Sequence, residues 1–429
     1  MRVLPAALLV IGAACARPAR PSQPAAAPDD LLPGVSEAAW RIHRSAILVD
    51  GHNDLPWKLR EKAGGSFDAL DIAQAQPEFD TDIPRLVRGG VGAQFWSVYV
   101  PVDSVKQGAA LRWTVEQIDV VLRMARRYPE TFELARTTAD IQRARANGRI
   151  ACLIGAEGGH SIEGSLGALR MLHELGVRYM TLAHSDTNDI CDAATDDPKW
   201  GGLSPFGESV VREMNRLGML VDVSHVSQET MEDVLAISTA PIIASHSSCR
   251  ALAPHPRNVP DEILARLRAN GGVVMVNFFS GFVVESSAQK MAGMFDVVRK
   301  LRAEHSDEKE LDAAIEAWRK ANPIERGDVK TLVDHIEHVV EIAGVECAGL
   351  GSDFDGITET PEGLEDVACY PRITQELLSR GYREDAIRKI LGGNALTALA
   401  RAEAVAREAA ARDAAQNHRA ERARSSGTR

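Results

Sequence analysis

The chain has 429 residues, 45% of them hydrophobic and 25% charged, with 34 Gly and 20 Pro, a composition that excludes disordered, collagen-like and coiled-coil proteins. Its 60 acidic residues outnumber 49 basic ones for a formal net charge of −11, which argues against nucleic acid or an anionic membrane surface as a partner. Six Cys with no CxxC pair are too few for a disulfide-dense scaffold, and no apolar run reaches the roughly 18–20 residues of a membrane-spanning helix.

In chain order, residues 1–15 place one Arg before an apolar run that ends in small residues at Cys15, the shape of a short export signal. Cys15 after Gly12, Ala13 and Ala14 resembles a bacterial lipoprotein cleavage box, although Gly12 stands where that pattern usually has Leu. The expectation is an exported, periplasmic or outer-surface lipoprotein, held to the membrane only through a lipid on Cys15. Residues 16–35 are rich in Pro and Ala and read as a tether. Residues 36–400 read as one folded unit, and the Ala- and Arg-rich 401–429 as a solvated, partly disordered tail.

Within 36–400, eight short apolar runs read as strands: 47–54, 91–100, 151–157, 177–184, 219–225, 241–246, 272–277 and 347–353. Stretches of helical period lie between them, such as 114–127, 165–175, 209–217 and 227–237, two of which are followed by Gly176 and Gly218 as stop signals. Near-continuous apolar strands alternating with helices predict an α/β fold, a (β/α)8 TIM-like barrel. No Gly-rich dinucleotide fingerprint follows the first strand, which weakens the open doubly wound alternative. Residues 284–328, highly charged and helical in pattern, read as an insertion between strands seven and eight.

The ends of these strands carry the chemistry. Strand one ends in His52, Asn53 and Asp54, strand three in Glu157, strand four in His184, strand five in His225, strand six in His246 and strand eight in Asp353. A barrel builds its active site at these carboxyl ends. His52 and Asp54, two apart, are expected on one face of their strand as a bidentate clamp. Imidazole and carboxylate suit Zn²⁺, with Mn²⁺, Fe²⁺ or Co²⁺ as alternatives. Five candidate ligands, His52, Asp54, Glu157, His225 and His246, are too many for one tetrahedral catalytic zinc with an open position and fit two metals sharing Glu157. His160 and His173 read as structural, and His335 and His338 as lying on the solvated face of a charged helix. Asp222 reads as a support for a ligand rather than a ligand.

Several segments together resemble the membrane dipeptidase (renal dipeptidase) family of zinc peptidases, within the amidohydrolase-type barrels. They are DGHNDLPW at 50–57, GAEGG at 155–159, TLAHSDTN at 181–188, LVDVSHVS at 220–227, IASHSS at 243–248, HPRNVPD at 255–261 and GLGSDFDG at 349–356. PEGLEDV at 361–367 and GGNAL at 392–396 extend the resemblance in order. The resemblance implies a dipeptidase with two zinc ions per subunit. His52, Asp54 and Glu157 would hold one; Glu157, His225 and His246 the other; a water between them would be the nucleophile. It further implies that His184 donates to the scissile carbonyl oxygen, that Asp353 handles the proton, with Asp355 its rival, and that Arg257 clamps the dipeptide carboxylate. The implied substrates are L,L- and L,D-dipeptides, and the implied assembly a homodimer. Where some members place a Tyr after strand seven, this chain has Phe278, Phe279 and Phe282. The alternatives are an amidohydrolase-type barrel acting on another amide or ester, and a peptide-binding lipoprotein without activity.

Overall fold

The computed structural model describes residues 31–305 and 308–426; the export signal, Cys15 and most of the expected tether lie outside them. Nine parallel strands run in the order β2-β1-β9-β8-β7-β6-β5-β4-β3, and a pairing of β2 with β4 closes eight of them into a barrel. The strands are β1 Leu48–Asn53, β2 Val91–Ser97, β3 Phe132–Leu134, β4 Ile150–Glu157, β5 Val177–Thr181, β6 Leu220–Asp222, β7 Ile242–Ala244, β8 Val273–Val276 and β9 Ala348–Leu350. The ninth, β3, is absent from the sequence reading. It pairs with Ile150–Cys152 at the start of β4, while β5 takes the end of β4 from Ile154 to Glu157.

Strand alternation sorts the side chains into two cores. Val49, Ala93, Phe95, Ala151 and Leu153 belong to an inner cluster that fills the barrel, and Leu48, Trp96, Cys152 and Ile154 pack outward under the helices. In β4 this alternation carries Ala151 and Leu153 inward and, by the same period of two, aims Glu157 at the mouth. Gly155 lies between them because there is room for nothing else: a Cβ there would fall 2.0 Å from the ring of Tyr179, which crosses the barrel at that level.

The helices begin and end where local chemistry says they should. Ser165, Ser204 and Ser227 accept hydrogen bonds from backbone N–H groups of the first turns they cap, and Gly176 and Gly218 end their helices in the left-handed conformation. Between β8 and β9 lie the helices Glu285–Ala292, Met294–Glu304 and Glu308–Ala321, ahead of the barrel helix Val329–Ala343. Met291 and Met294 close over Phe279 and Phe282 there. Arg299 ties this segment to the loop after β5 by donating to the Thr195 carbonyl at 2.9 Å. The last helix, Asn394–Ser426, runs through the segment read as a tail. Its Ala395, Ala398, Leu399 and Ala402 plug the N-terminal end of the barrel.

Candidate metal centre

The polar residues read as strand ends sit mostly just beyond the strands. β5 stops at Thr181, β6 at Asp222, β7 at Ala244 and β9 at Leu350, so His184, His225, His246 and Asp353 belong to the turns that follow. His225, Asp353 and Asp355 have φ of 68°, 67° and 65°, left-handed conformations that cost non-glycine residues energy and cluster at functional sites. Asp54 likewise lies past β1, with φ −97° and ψ 17°. The pairing of β1 with β2 is irregular between Asp50 and Asn53. His52 and Asp54 therefore meet through a turn, not through the simple strand alternation expected, but they do meet: His52 Nε2 is 3.3 Å from Asp54 Oδ2.

Glu157 is the hub. Its Oε2 lies 3.3 Å from His52 Nε2 and accepts a hydrogen bond from Ser97 at 3.0 Å. Its Oε1 lies 3.1 Å from His225 Nε2, 3.5 Å from His246 Nε2 and 3.6 Å from His184 Nε2. The two oxygens thus divide the cluster into a His52 side and a His225/His246 side. Burial pushes the Glu157 carboxyl up, but the charge of His52 and a hydrogen bond from His225 hold it well below the usual carboxylate range.

The imidazoles are oriented from behind. His52 Nδ1 lies 2.8 Å from Tyr179 Oη, whose proton goes to the Gly51 carbonyl at 3.1 Å. The phenol oxygen must then accept from His52 Nδ1–H, which turns Nε2 toward the carboxylates. His246 Nδ1 lies 2.7 Å from Ser245 Oγ, and that hydroxyl donates to Asp222 at 2.7 Å. Asp222 also accepts from Thr181 Oγ1 and from the backbone N–H groups of Ser224 and Ser245, the supporting position expected of it. Burial holds His225 and His246 well below the usual imidazole range, so both present neutral rings.

The rest of the constellation borders this hub. Asp353 Oδ1 is 4.0 Å from His52 Nε2, and its Oδ2 accepts from Asn277 Nδ2 at 2.9 Å. Burial first, then the charges of Asp54 and Glu157, push the Asp353 carboxyl well above its usual range against the pull of His52. Asp355 turns away: its Oδ1 accepts from the Asp80 N–H at 2.9 Å and its own N–H returns a bond to Asp80. Arg257 is 1% exposed. Its guanidinium donates to Ser247 Oγ and to the His246 carbonyl, both at 3.2 Å, and lies over the Phe282 ring. Its Nε has no hydrogen-bond partner among the described residues. Tyr99 packs against both His184 and Trp57.

All eight candidate residues thus fall in one neighbourhood. Residues not singled out from sequence complete it: Ser97 and Asn277, at the ends of the two barrel strands that had offered no ligand, and Tyr179. Position was the available signal for Asn277, the polar residue at the carboxyl end of the run 272–277, whereas Ser97 lies inside the run 91–100. His335 departs from its expected solvated face. It is buried, accepting from the Cys249 N–H and donating to the Val283 carbonyl, each at 3.0 Å. His338 is half-buried against Asp261. Cys152, Cys191, Cys249, Cys347 and Cys369 are buried free thiols.

The donor set fits metal ions. His52 Nε2 and Asp54 Oδ1 are buried without a hydrogen-bond partner among the described residues, and His225 Nε2 faces His246 Nε2 at 2.9 Å. Three overlapping sets of donor atoms converge: His52, Glu157 and His246; Glu157, His184 and His225; His52, Asp54 and Asp353. Imidazoles and carboxylates closing on one buried point at the mouth of a parallel barrel define a metal-dependent enzyme site.

Comparison with known proteins narrows the class. Residues 36–413 match the family described as membrane dipeptidase, peptidase family M19. The dipeptidase verJ of Clonostachys rogersoniana is 39% identical over 379 residues, covering 86% of this chain and 87% of that protein. Among solved structures, the probable dipeptidase PvdM of Pseudomonas aeruginosa superposes with a TM-score of 0.74 at 24% identity, covering 86% of this chain and 98% of its own. A metallopeptidase of Rhodobacter sphaeroides, solved with a phosphinate mimic of the dipeptide L-Ala-D-Ala, gives 0.68 at 24% identity, covering 83% and 99%; both likenesses are of fold. The chain belongs to the membrane dipeptidase family M19. It is a metallopeptidase that hydrolyses the peptide bond of dipeptides.

Proposed function

We propose that the protein is a binuclear zinc dipeptidase that accepts L,L- and L,D-dipeptides. The observation that carries this reading is the division of Glu157, with Oε2 toward His52 and Oε1 toward His225 and His246. One ion would be held by His52, Asp54 and Glu157, the other by Glu157, His225 and His246. When bound, such a pair makes water a competent nucleophile near neutral pH and polarises the scissile carbonyl.

The chain's own residues do the rest. Arg257 binds the free carboxylate of the dipeptide. A guanidinium buried without an acidic partner costs roughly several kcal/mol, and a planar carboxylate meets its geometry. Burial lowers its pKa to about 10, which leaves it charged at neutral pH. His184 is held near 4 by burial and is therefore neutral. With Ser185 Oγ 2.7 Å from its Nδ1, its Nε2 donates to the carbonyl oxygen as negative charge grows there. Asp353, held by Asn277, takes the proton of the attacking water at Oδ1 and passes it to the leaving amine. The dipeptide mimic bound by the Rhodobacter metallopeptidase is in keeping with a C-terminal D residue here. Export, a lipid on Cys15 and a homodimer belong to the same proposal.

The test is a dipeptide panel with L and D residues at each position, run with free and amidated C-termini. Turnover of free dipeptides with either configuration at the C-terminal residue is expected, with loss of about tenfold to a hundredfold or more in kcat/KM on amidation, the worth of a charge-assisted hydrogen bond. Equal turnover of amidated substrates would remove Arg257 from its role.

A further inference from the structure

The N-terminal end of the barrel holds a cavity of about 550 Å³ lined by Arg268, Glu346, Cys347, Lys389, Asn394 and Arg401 among others. It lies beside the starts of β8 and β9, at the opposite end of the strands from the metal centre. Three cationic side chains, Arg268, Lys389 and Arg401, face one carboxylate, Glu346. The lining is thus net positive by two in a chain whose formal charge is −11.

These groups are not equally free. Lys389 Nζ is committed to Glu346 at 2.9 Å. The Asn394 amide donates to the carbonyls of Val345 and Ala348. Arg268 and Arg401, both exposed, make no direct ion pair among the described residues, although the charge of Arg268 helps Lys389 hold the Glu346 carboxyl below its usual range. Each is instead seated against bare backbone. A Cβ at Gly271 would fall 2.2 Å from Arg401 Nη1, and one at Gly344 would fall 2.9 Å from Arg268 Nη2. Both glycines have positive φ, 78° and 98°, so the backbone there both turns and leaves space that only glycine leaves. The two guanidiniums are seated by backbone rather than by a direct ion pair.

We propose that this cavity is a binding site for a small dianion, a phosphate group or a dicarboxylate, held by Arg268 and Arg401. Guanidinium forks match the paired oxygens of either anion, and Lys389 adds a third positive charge. The site is separate from the dipeptide site and does not compete with it.

Inorganic phosphate and, separately, succinate titrated calorimetrically into the metal-loaded full-length protein at constant ionic strength test this. The expected result is saturable binding of one equivalent of at least one anion, weakened about tenfold or more in Arg268→Ala/Arg401→Ala, as loss of charge-assisted hydrogen bonds dictates. Dipeptide hydrolysis by the double variant stays at the wild-type rate, which also shows that it folds. Tighter phosphate assigns the phosphate class, and tighter succinate the dicarboxylate class. No saturable binding of either anion to the wild type overturns the proposal. So does binding that is undiminished in the double variant, which would place the anion at the metal centre instead.

Discussion

Asn277 donates to Asp353 at 2.9 Å, and that bond separates two carboxylates that lie two residues apart in the same turn. Asp353 is held at the hub of the metal centre, whereas Asp355 exchanges hydrogen bonds with Asp80. Asp353→Asn is therefore expected to keep its metal and lose about 10²–10⁴-fold in kcat, the usual worth of general acid–base catalysis. Asp355→Asn is expected to keep most of its kcat. Steady-state kinetics with metal analysis on both variants decides it, and the reverse pattern would reassign the proton to Asp355.

Tyr179 acts on the metal centre only through His52. Its phenol accepts from Nδ1 and fixes the ring with Nε2 inward. Tyr179→Phe leaves the ring volume that fills the space above Gly155 but removes this partner. Metal affinity is expected to fall about 10–100-fold, the range for loss of such supporting bonds, with the fold intact. Chelator competition measures it, and unchanged affinity would show that the phenol serves packing alone.

Stability should fall in mild acid. His43 is fully buried, with Nδ1 2.8 Å from Thr374 Oγ1 and Nε2 2.7 Å from the Gly89 carbonyl. Burial lowers its pKa from 6.5 to about 4; burial does the same to His335, also to about 4. In the unfolded chain each returns to its ordinary value. Between pH 6.5 and 4 the unfolded state thus binds protons that the folded state refuses, so stability rises with pH across that window and is lost as pH falls through it. Each histidine contributes about 2 kcal/mol of loss between pH 7.5 and 5. Urea denaturation of the metal-free protein should show a shallower pH dependence for His43→Gln than for wild type. Identical slopes would contradict the assignment.

Much of this architecture was legible because two periodicities agree. Apolar runs ending in His or an acid marked six of the eight barrel strands' carboxyl ends, and Glu157 is where the period of two along Ala151 and Leu153 puts it. The lengths were not legible. His184, His225, His246 and Asp353 look like strand continuations, but at His225 and His246 Asp222 accepts from the backbone N–H groups of Ser224 and Ser245 and takes them out of the ladder. The strand Phe132–Leu134 is three residues long and pairs with only the first half of β4, too short to leave a pattern. His335 was misread because its neighbours are charged. Its spacing from Leu332 and Val339, three before and four after, puts it on the buried face of its helix. Tyr179 had no signal of its own, since a tyrosine in an apolar strand reads as core until the histidine across the barrel is seen.

The proposed division of Glu157 between two ions is open to a direct test. Metal content per chain, measured by elemental analysis of zinc-loaded wild type, Glu157→Gln and His225→Ala, tests it most directly. About two equivalents are expected in wild type, with loss of zinc and of activity in both variants and unchanged far-ultraviolet circular dichroism. A single equivalent in wild type, or undiminished zinc in both variants, would contradict it.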